Sequence, residues 1–460
     1  MRPSARLAAP LVGPLAVALT SAAFGARYAP RDHVEAWLAL LTLSFAGLAI
    51  SARALGPILD RTSQRTLLLG AGLLGAACLV APVSLSDDVE RYAWDGHALL
   101  SGHDPYASRP EELVGAAPAL DDAALARLNS PAYYTVYPPL AQVVFAVGAA
   151  IESATHLAST RAIRALFLLG LLASVAIWLR IAARIGVPPP WAAALAWNPL
   201  LAWELVAGGH TEALMLPLAL LALEATLDDR PARAALFLGL AASMKLTALV
   251  WLPALALWSH RRIGLRSAPL GLAPLVTAAT FLPFASPTLA PHVIESLRLF
   301  AGAFSFNAPI YYAARDALGY VEGLSPPVDA QIAPALTLAS VLAWAVSAIL
   351  ARRGREPRAL LSALAGGGVA MLLLGRVFHP WYVLPALACG LLVESRALLW
   401  LSFALPLSYL RYRAGAREEP WVLALEFVPF AALAAAQSAR SSIWNLRSTD
   451  WQRRIPPKNA

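Results

Sequence analysis

Two adjacent carboxylates open the stretch Ser86-Asp87-Asp88-Val89-Glu90-Arg91-Tyr92-Ala93-Trp94-Asp95-Gly96, directly after an apolar segment. Neighbouring carboxylates repel, so one is held partly protonated, or a cation keeps both ionised; either state suits a general base for an acceptor hydroxyl. The competing reading makes Asp87 a helix cap and the rest solvated surface. Asp88 and Arg91, three apart, can share a helix face. Lys245 is one of only two lysines in 460 residues and sits between two apolar limbs. A cation there needs an anion, and phosphate is the natural candidate, with Arg376 and His379 supplied by a later loop. The competing reading is an interfacial lysine that snorkels to water. Glu204 and the run Gly208-Gly209-His210-Thr211-Glu212 follow an apolar stretch. Acids so close to hydrocarbon face a wet cavity or form a structural pair with arginine. The turn Gly102-His103-Asp104-Pro105-Tyr106 and the breaker Tyr137-Pro138-Pro139-Leu140 serve architecture, whatever else they do. No P-loop, dinucleotide fingerprint, zinc-ligand pair or nucleophile elbow is present. A donor must therefore come from the membrane or the outer compartment.

The elements that position these residues are apolar. With 58% hydrophobic and 14% charged residues, the chain carries more apolar surface than one soluble core can bury. Segments at Ala8–Phe24, Ala36–Ala54, Thr66–Leu85, Ile163–Ala183, Trp191–Val206, Ala213–Leu227, Ala234–Met244, Ala248–Trp258, Leu270–Phe284, Ile332–Leu350, Ala359–Leu374, Trp381–Val393, Ala397–Leu410 and Trp421–Ala436 predict an all-α polytopic bundle. That is about 12–14 spans. The net charge of +8 comes from arginines scattered between these segments, without the aromatic interleaving of a nucleic-acid surface. With the N-terminus inside, Arg53, Arg61, Arg65, Arg180, Arg184, Arg230, Arg233, Arg261, Arg262, Arg266 and the Arg352 to Arg358 cluster all fall in the cytoplasm, as the positive-inside rule requires. Leu140–Ile151 breaks that parity if it spans, so it reads as an interfacial or re-entrant helix on the outer face. The same parity makes Ala234–Trp258 a hairpin with Lys245 near its outer tip. Asn198-Pro199 opens the Trp191–Val206 helix toward the interior, because proline lacks an N–H.

The predicted organisation is one transmembrane domain over 1–440, with extracytoplasmic loops at 86–160 and 287–331, and a short basic cytoplasmic tail at 441–460. The outer side then collects Asp87, Asp88, Arg91, Trp94, Asp95, Tyr106, Tyr137, His210, Glu212, Lys245, Asn307, Arg376, His379 and Tyr382. Cys78 and Cys389 lie inside apolar segments and read as packing residues. Arg2, Arg6 and the small residues Ala22 and Ala23 leave both a retained first span and a cleaved leader open.

The ordered set Asp87-Asp88-Val89-Glu90-Arg91-Tyr92-Ala93-Trp94-Asp95-Gly96, Gly102-His103-Asp104-Pro105-Tyr106, Tyr137-Pro138-Pro139-Leu140-Ala141-Gln142, Asn198-Pro199, Gly209-His210-Thr211-Glu212-Ala213-Leu214, Lys245-Leu246-Thr247 and His379-Pro380-Trp381-Tyr382 resembles the GT-C superfamily of membrane glycosyltransferases. The nearest look-alikes are bacterial polyprenyl-phosphomannose-dependent mannosyltransferases. The resemblance implies inverting transfer of a hexose, mannose by analogy, from a polyprenyl-phosphate donor to a glycan or glycolipid acceptor outside the cell membrane. It implies Asp87 or Asp88 as catalytic base. Lys245, Arg376 and His379 would serve the donor phosphate. Arg91, Trp94, Asp95, Tyr106, Tyr137, His210, Glu212, Asn307 and Tyr382 would line the substrate site, with a divalent cation an open addition. Similar enzymes often carry Asn-Asp where Thr211-Glu212 stands here, and an aromatic or aliphatic residue at Glu90. The rival class is a glycolipid transporter or flippase, which the lack of internal repeats and the one-sided loops disfavour.

Overall fold

The computed structural model describes residues 3–302, 305–319, 329–413 and 419–444. Most of the predicted basic tail, from 445 onward, lies outside the described residues, as do 303–304 and 320–328 of the predicted second outer loop. Every regular element among the described residues is helical, and the sole β-type contact is an isolated Phe306–Val377 bridge. In chain order the helices are α1 (Pro3–Gly25), α2 (Val34–Ala52), α3 (Arg61–Cys78), α4 (Asp88–Leu100), the one-turn α5 (Asp122–Leu125), α6 (Pro139–Thr155) and α7 (Ser159–Ile185). There follow α8 (Pro189–Ala196), α9 (Pro199–Ala202), α10 (Glu212–Leu227), α11 (Pro231–Met244), α12 (Leu252–Ile263) and α13 (Ala273–Thr280). The chain closes with α14 (Leu289–Gly302), α15 (Pro309–Ala317), α16 (Asp329–Ala351), α17 (Pro357–Leu374), α18 (Leu384–Leu392), α19 (Arg396–Ala404) and α20 (Pro420–Trp444). Six segments among them are long and apolar enough to cross a membrane: Val34–Ala52, Ser159–Ile185, Leu246–Phe284, Ile332–Ala351, Pro357–Leu374 and Pro420–Ala439. Others are shorter or broken. Cys78 and Cys389 are buried and form no disulfide.

The breaks fall where the sequence places helix-incompatible chemistry. Asn198 interrupts the predicted Trp191–Val206 span: its Oδ1 accepts from Leu200 N at 3.1 Å and Leu201 N at 3.4 Å, and its Nδ2 donates to Ser402 Oγ at 3.0 Å. Pro199 follows at the first helical position, where its missing N–H costs nothing. The chain then passes through a π turn, Trp203–Ala207, so the predicted span is three pieces rather than one helix. Lys245 ends α11 with an extended backbone, φ −157° and ψ 119°. Beyond it, α13 lies beside α11 and runs the same way: Ser243 Oγ is 2.7 Å from Thr280 Oγ1, and Thr277 Oγ1 donates to Gly239 O at 3.0 Å. The chain between Lys245 and Gly264 must therefore run back, which makes Lys245 the tip of a reversal.

The two ends of the bundle carry different charges. At the C-terminal end of α10, Arg180 pairs with Glu224 at 2.7 Å, Arg184 with Asp228, and Arg262 with Asp229 at 2.9 Å. Arg262 also donates to Arg355 O at 3.2 Å, so four of the arginine-rich loops meet there. Glu212 stands at the other end of α10, roughly 24 Å away at 1.5 Å per residue.

α6 is 17 residues long, longer than its 12-residue apolar run indicates. It starts where Leu140 N donates to Ser243 Oγ at the C-terminal end of α11. Its C-terminal part packs on the N-terminal end of α7, where a Cβ at Gly148 would lie 2.4 Å from Ile163 Cγ1. Both ends of α6 thus stay at the Glu212 end of the bundle. α14 docks there too: His292 stacks on Tyr134 at 3.7 Å, and Ser296 Oγ donates to Tyr134 O at 3.0 Å.

Candidate active site

α4 begins with Asp88, whose carboxylate sits in the first turn, favoured by the positive end of the helix dipole. The two aspartates diverge. Both carboxylate oxygens of Asp87 accept from Arg31 Nη2 at 3.1 Å, and the Arg31 guanidinium lies 4.7 Å over the Tyr412 ring. It makes no side-chain capping bond, so its role is the ion pair rather than the cap. Asp88 turns the other way: Asn129 Nδ2 donates to its Oδ1 at 3.3 Å, and its Oδ2 lies 3.7 Å from His210 Nδ1. Its side chain stays 24% exposed. Burial raises its pKa above the usual aspartate range, Lys245 and the Asn129 hydrogen bond oppose the rise, and Glu212 and Asp87 add to it.

His210 is carried on the tight turn before α10. Gly209 adopts φ +70° there with Val89 and Arg164 side-chain atoms 3.3 Å from where a Cβ would stand, so a side chain would be strained in its backbone and tightly packed. The His210 ring stacks on Trp381 at 3.6 Å, and Trp381 stacks on His379 at 4.2 Å, so the indole lies between two imidazoles. Tyr382 meets Trp381 edge-on at 5.6 Å. Over the Tyr382 ring, at 4.6 Å, sits Lys245 Nζ, ion-paired to Glu212. The predicted anion for Lys245 was a ligand phosphate; the chain supplies a carboxylate of its own. Burial, with Lys245 nearby, pushes both histidines down, His379 to about 3 with Arg411 contributing, so both rings are neutral near pH 7. His379 is then a hydrogen-bonding group beside the lysine, not a second cation.

Asp88, His210, Glu212, Lys245, His379 and Tyr382 are brought together, and Tyr137 adjoins them: Asp88 and Tyr382 both lie close enough to influence its ionisation. Arg376 faces Tyr311, 4.9 Å over its ring. Its backbone belongs to the bridge that ties the second loop to the site: Phe306 N donates to Arg376 O at 3.0 Å and Phe378 N to Phe306 O at 2.8 Å. Asn307 follows with φ +50°, buried.

The other expected site residues build scaffold. Arg91 does not pair with Asp88; it reaches Asp95 at 2.7 Å and the carbonyls of Ser130 and Tyr133 at 3.0 Å each. Asp95 also accepts from Gln142 at 3.2 Å. Helical i,i+4 spacing favours this buried pair, and it fixes the loop that carries Asn129. Trp94 packs in a separate apolar cluster with Leu113, Leu120 and Leu128. Tyr106 is buried against Phe281 and Phe284 and donates to Tyr137 O at 2.7 Å. Asp104 folds its turn by accepting from Tyr106 N at 2.8 Å.

Three contributors had no pattern in the sequence to announce them: Arg31, which precedes the second span and holds Asp87, Asn129, which lies in a featureless loop and donates to Asp88, and Tyr409, which ends an apolar run and donates to Glu204 beside the His210 turn. Trp381 lies within the His379-Pro380-Trp381-Tyr382 motif, but its stacking on His210 is set by the fold. Among the described residues, no group of three or more His, Cys, Asp or Glu side chains is arranged to hold a metal ion.

No curated protein matches the chain. The family described as alpha-(1->6)-mannopyranosyltransferase, N-terminal domain (MptA_B family) matches residues 9–261, which carry α4, the His210 turn, Glu212 and Lys245. That match covers more than half of the 460 residues, and with the all-helical, membrane-length elements around an acid, histidine and lysine cluster, it shows that the chain belongs to this mannosyltransferase family.

Proposed function

We propose that the protein transfers mannose from a polyprenyl-phosphate carrier to a glycan or glycolipid acceptor on the extracytoplasmic face of the cell membrane, with inversion, and that Asp88 is the base. The observation that carries this reading is that Asp88 and the Lys245–Glu212 pair share one site, at the end of α10 opposite the arginine-rich loops. Arginine-rich loops stay in the cytoplasm, so the site faces out, where nucleotide sugars are absent and lipid-linked sugars are presented.

In the proposed reaction the acceptor oxygen attacks the anomeric carbon while Asp88 takes its proton. The bond from that carbon to the phosphate oxygen breaks, and the polyprenyl phosphate leaves with the electron pair. Lys245 meets the growing negative charge, the electrostatic role that contributes most in such steps. A phosphate leaving group is already acidic, so no protein acid is needed. Attack opposite the leaving group turns a β-linked donor into an α-linked product.

Purified protein in detergent or liposomes, given labelled polyprenyl-phosphomannose and a mannose-terminated glycolipid, is expected to yield α-linked product. Product formed from a nucleotide sugar alone would overturn the donor assignment. A pH profile tests the base separately. Asp88 must be ionised to act, so activity falls as pH drops through its pKa. Asn129→Leu removes a hydrogen bond that favours the anion, raises that pKa further, and moves the acidic limb of kcat/KM to higher pH. An unmoved limb would dissociate Asp88 from that ionisation.

A further inference from the structure

Glu204 is a buried acid that the transfer chemistry above does not use. It lies in the π turn Trp203–Ala207, a geometry that inserts a residue into a helical turn and recurs at functional sites. The turn closes with Gly208 N donating to Trp203 O at 2.7 Å. No arginine or lysine pairs with Glu204 among the described residues. Its carboxyl oxygens instead receive the Tyr409 hydroxyl at 2.9 and 3.1 Å, and its Oε2 lies 3.3 Å from His210 Nε2. The other ring nitrogen of His210 faces Asp88 at 3.7 Å. The imidazole thus has a carboxyl beside each ring nitrogen, its buried Nε2 makes no hydrogen bond elsewhere, and Trp381 stacks on the ring face.

Hydrogen-bond capacity limits what this arrangement can hold. A neutral imidazole has one donor and one acceptor, and a carboxylate only accepts. His210 can satisfy both neighbours as a neutral ring only if one carboxyl carries a proton. Lys245 and His379 lie near the ring and Arg164 packs against the same turn with its guanidinium on Val206 O and Cys78 O, so cationic and basic groups already surround it. Asp88 has the α4 N-terminus, Asn129 and Lys245 to support its charge. Glu204 has a single hydroxyl, with the carboxylate of Glu212 nearby as a repelling neighbour.

We propose that Glu204 works as a protonated acid that donates to His210 Nε2, which fixes the tautomer carrying its hydrogen on Nδ1 and turns that hydrogen toward the Asp88 carboxylate. Glu204 and His210 are positioning residues for the base, and the assignment rests on Asp88 being that base. The 3.7 Å gap to Asp88 closes by a small carboxylate rotation when the acceptor hydroxyl binds, since such bonds tighten in the reactive complex.

The test compares Glu204→Gln with Glu204→Ala. The amide of E204Q donates from the same place, so kcat stays within about threefold and the pH profile keeps its acidic limb. E204A frees the ring to turn, lowers kcat by roughly 10- to 100-fold at similar KM, and moves the acidic limb upward because Asp88 loses an oriented donor. Gel-filtration and thermal unfolding of both variants separate misfolding from misplacement. Difference infrared spectra read the proton directly: a protonated-carboxyl band present in the wild type vanishes in E204Q and persists in Asp88→Asn. A rate for E204Q as low as for E204A, or an infrared band that E204Q leaves untouched, would overturn the proposal. Full activity of Asp88→Asn would remove the base assignment alone, while the infrared band still decides whether Glu204 holds the proton.

Discussion

Asp88→Asn is expected to lower mannosyl transfer by about 10²- to 10⁴-fold, the range a positioned general base contributes. The amide keeps the volume and the Asn129 contact region but cannot take a proton. Asp87→Asn is the informative control. Its carboxylate is 38% exposed and bound to Arg31, so its loss removes a half-exposed ion pair whose typical contribution is at most about 1 kcal/mol. Even if all of it fell on the transition state, the rate would change by no more than about fivefold. Single-turnover transfer with labelled donor measures both. Equal losses in the two variants would mean that the acidic pair acts as a unit and that the divergence of the two side chains does not separate their roles.

The second large effect is at Lys245, where stability and chemistry can be pulled apart. Lys245→Met strands the Glu212 carboxylate, only 3% exposed, without its cation. Breaking a buried pair from one side costs about 3–5 kcal/mol. Transfer is expected to fall by about 10²- to 10³-fold as well, the loss seen when a donor to a developing oxyanion is removed. Adding Glu212→Gln removes the stranded charge, so the double variant should recover most of its thermal stability in detergent and none of its rate. Recovery of both would reduce Lys245 to a structural partner of Glu212 and leave the leaving phosphate to other groups. The geometry favours a double role: the Lys245 side chain is 21% exposed and its ammonium sits over Tyr382 while still paired.

Much of the frame was legible because membrane insertion follows composition. Apolar runs gave helices, Asn198-Pro199 and Lys245 marked breaks, and the arginine loops Arg184, Arg262 and Arg355 do gather at one end. Both ends of α6 stay at the other end of the bundle, by contacts with Ser243 and Ile163. Spacing failed at shorter range. Asp88 and Arg91 are placed on one helix face by any three-residue rule, yet Arg91 takes Asp95, because the second carboxylate is buried beside Gln142 and the first is not. Trp94 and Tyr106 have the composition of a sugar platform and are packing residues instead.

Hydrophobic length and arginine placement are local properties of the chain, so the helical membrane-protein class, the breaks at Asn198-Pro199 and Lys245 and the grouping of the arginine loops were readable from composition. The partner that each polar group takes was set by packing between helices: Asp87 with Arg31, Lys245 with Glu212, and His210 between Asp88 and Glu204. The His210–Glu204 contact is made within one turn of chain, whereas Lys245–Glu212, Arg31–Asp87 and His210–Asp88 join residues from 33 to more than 100 positions apart. Their geometry depends on where separate helices stop against one another, and a buried charge takes whichever counter-group that packing brings within reach.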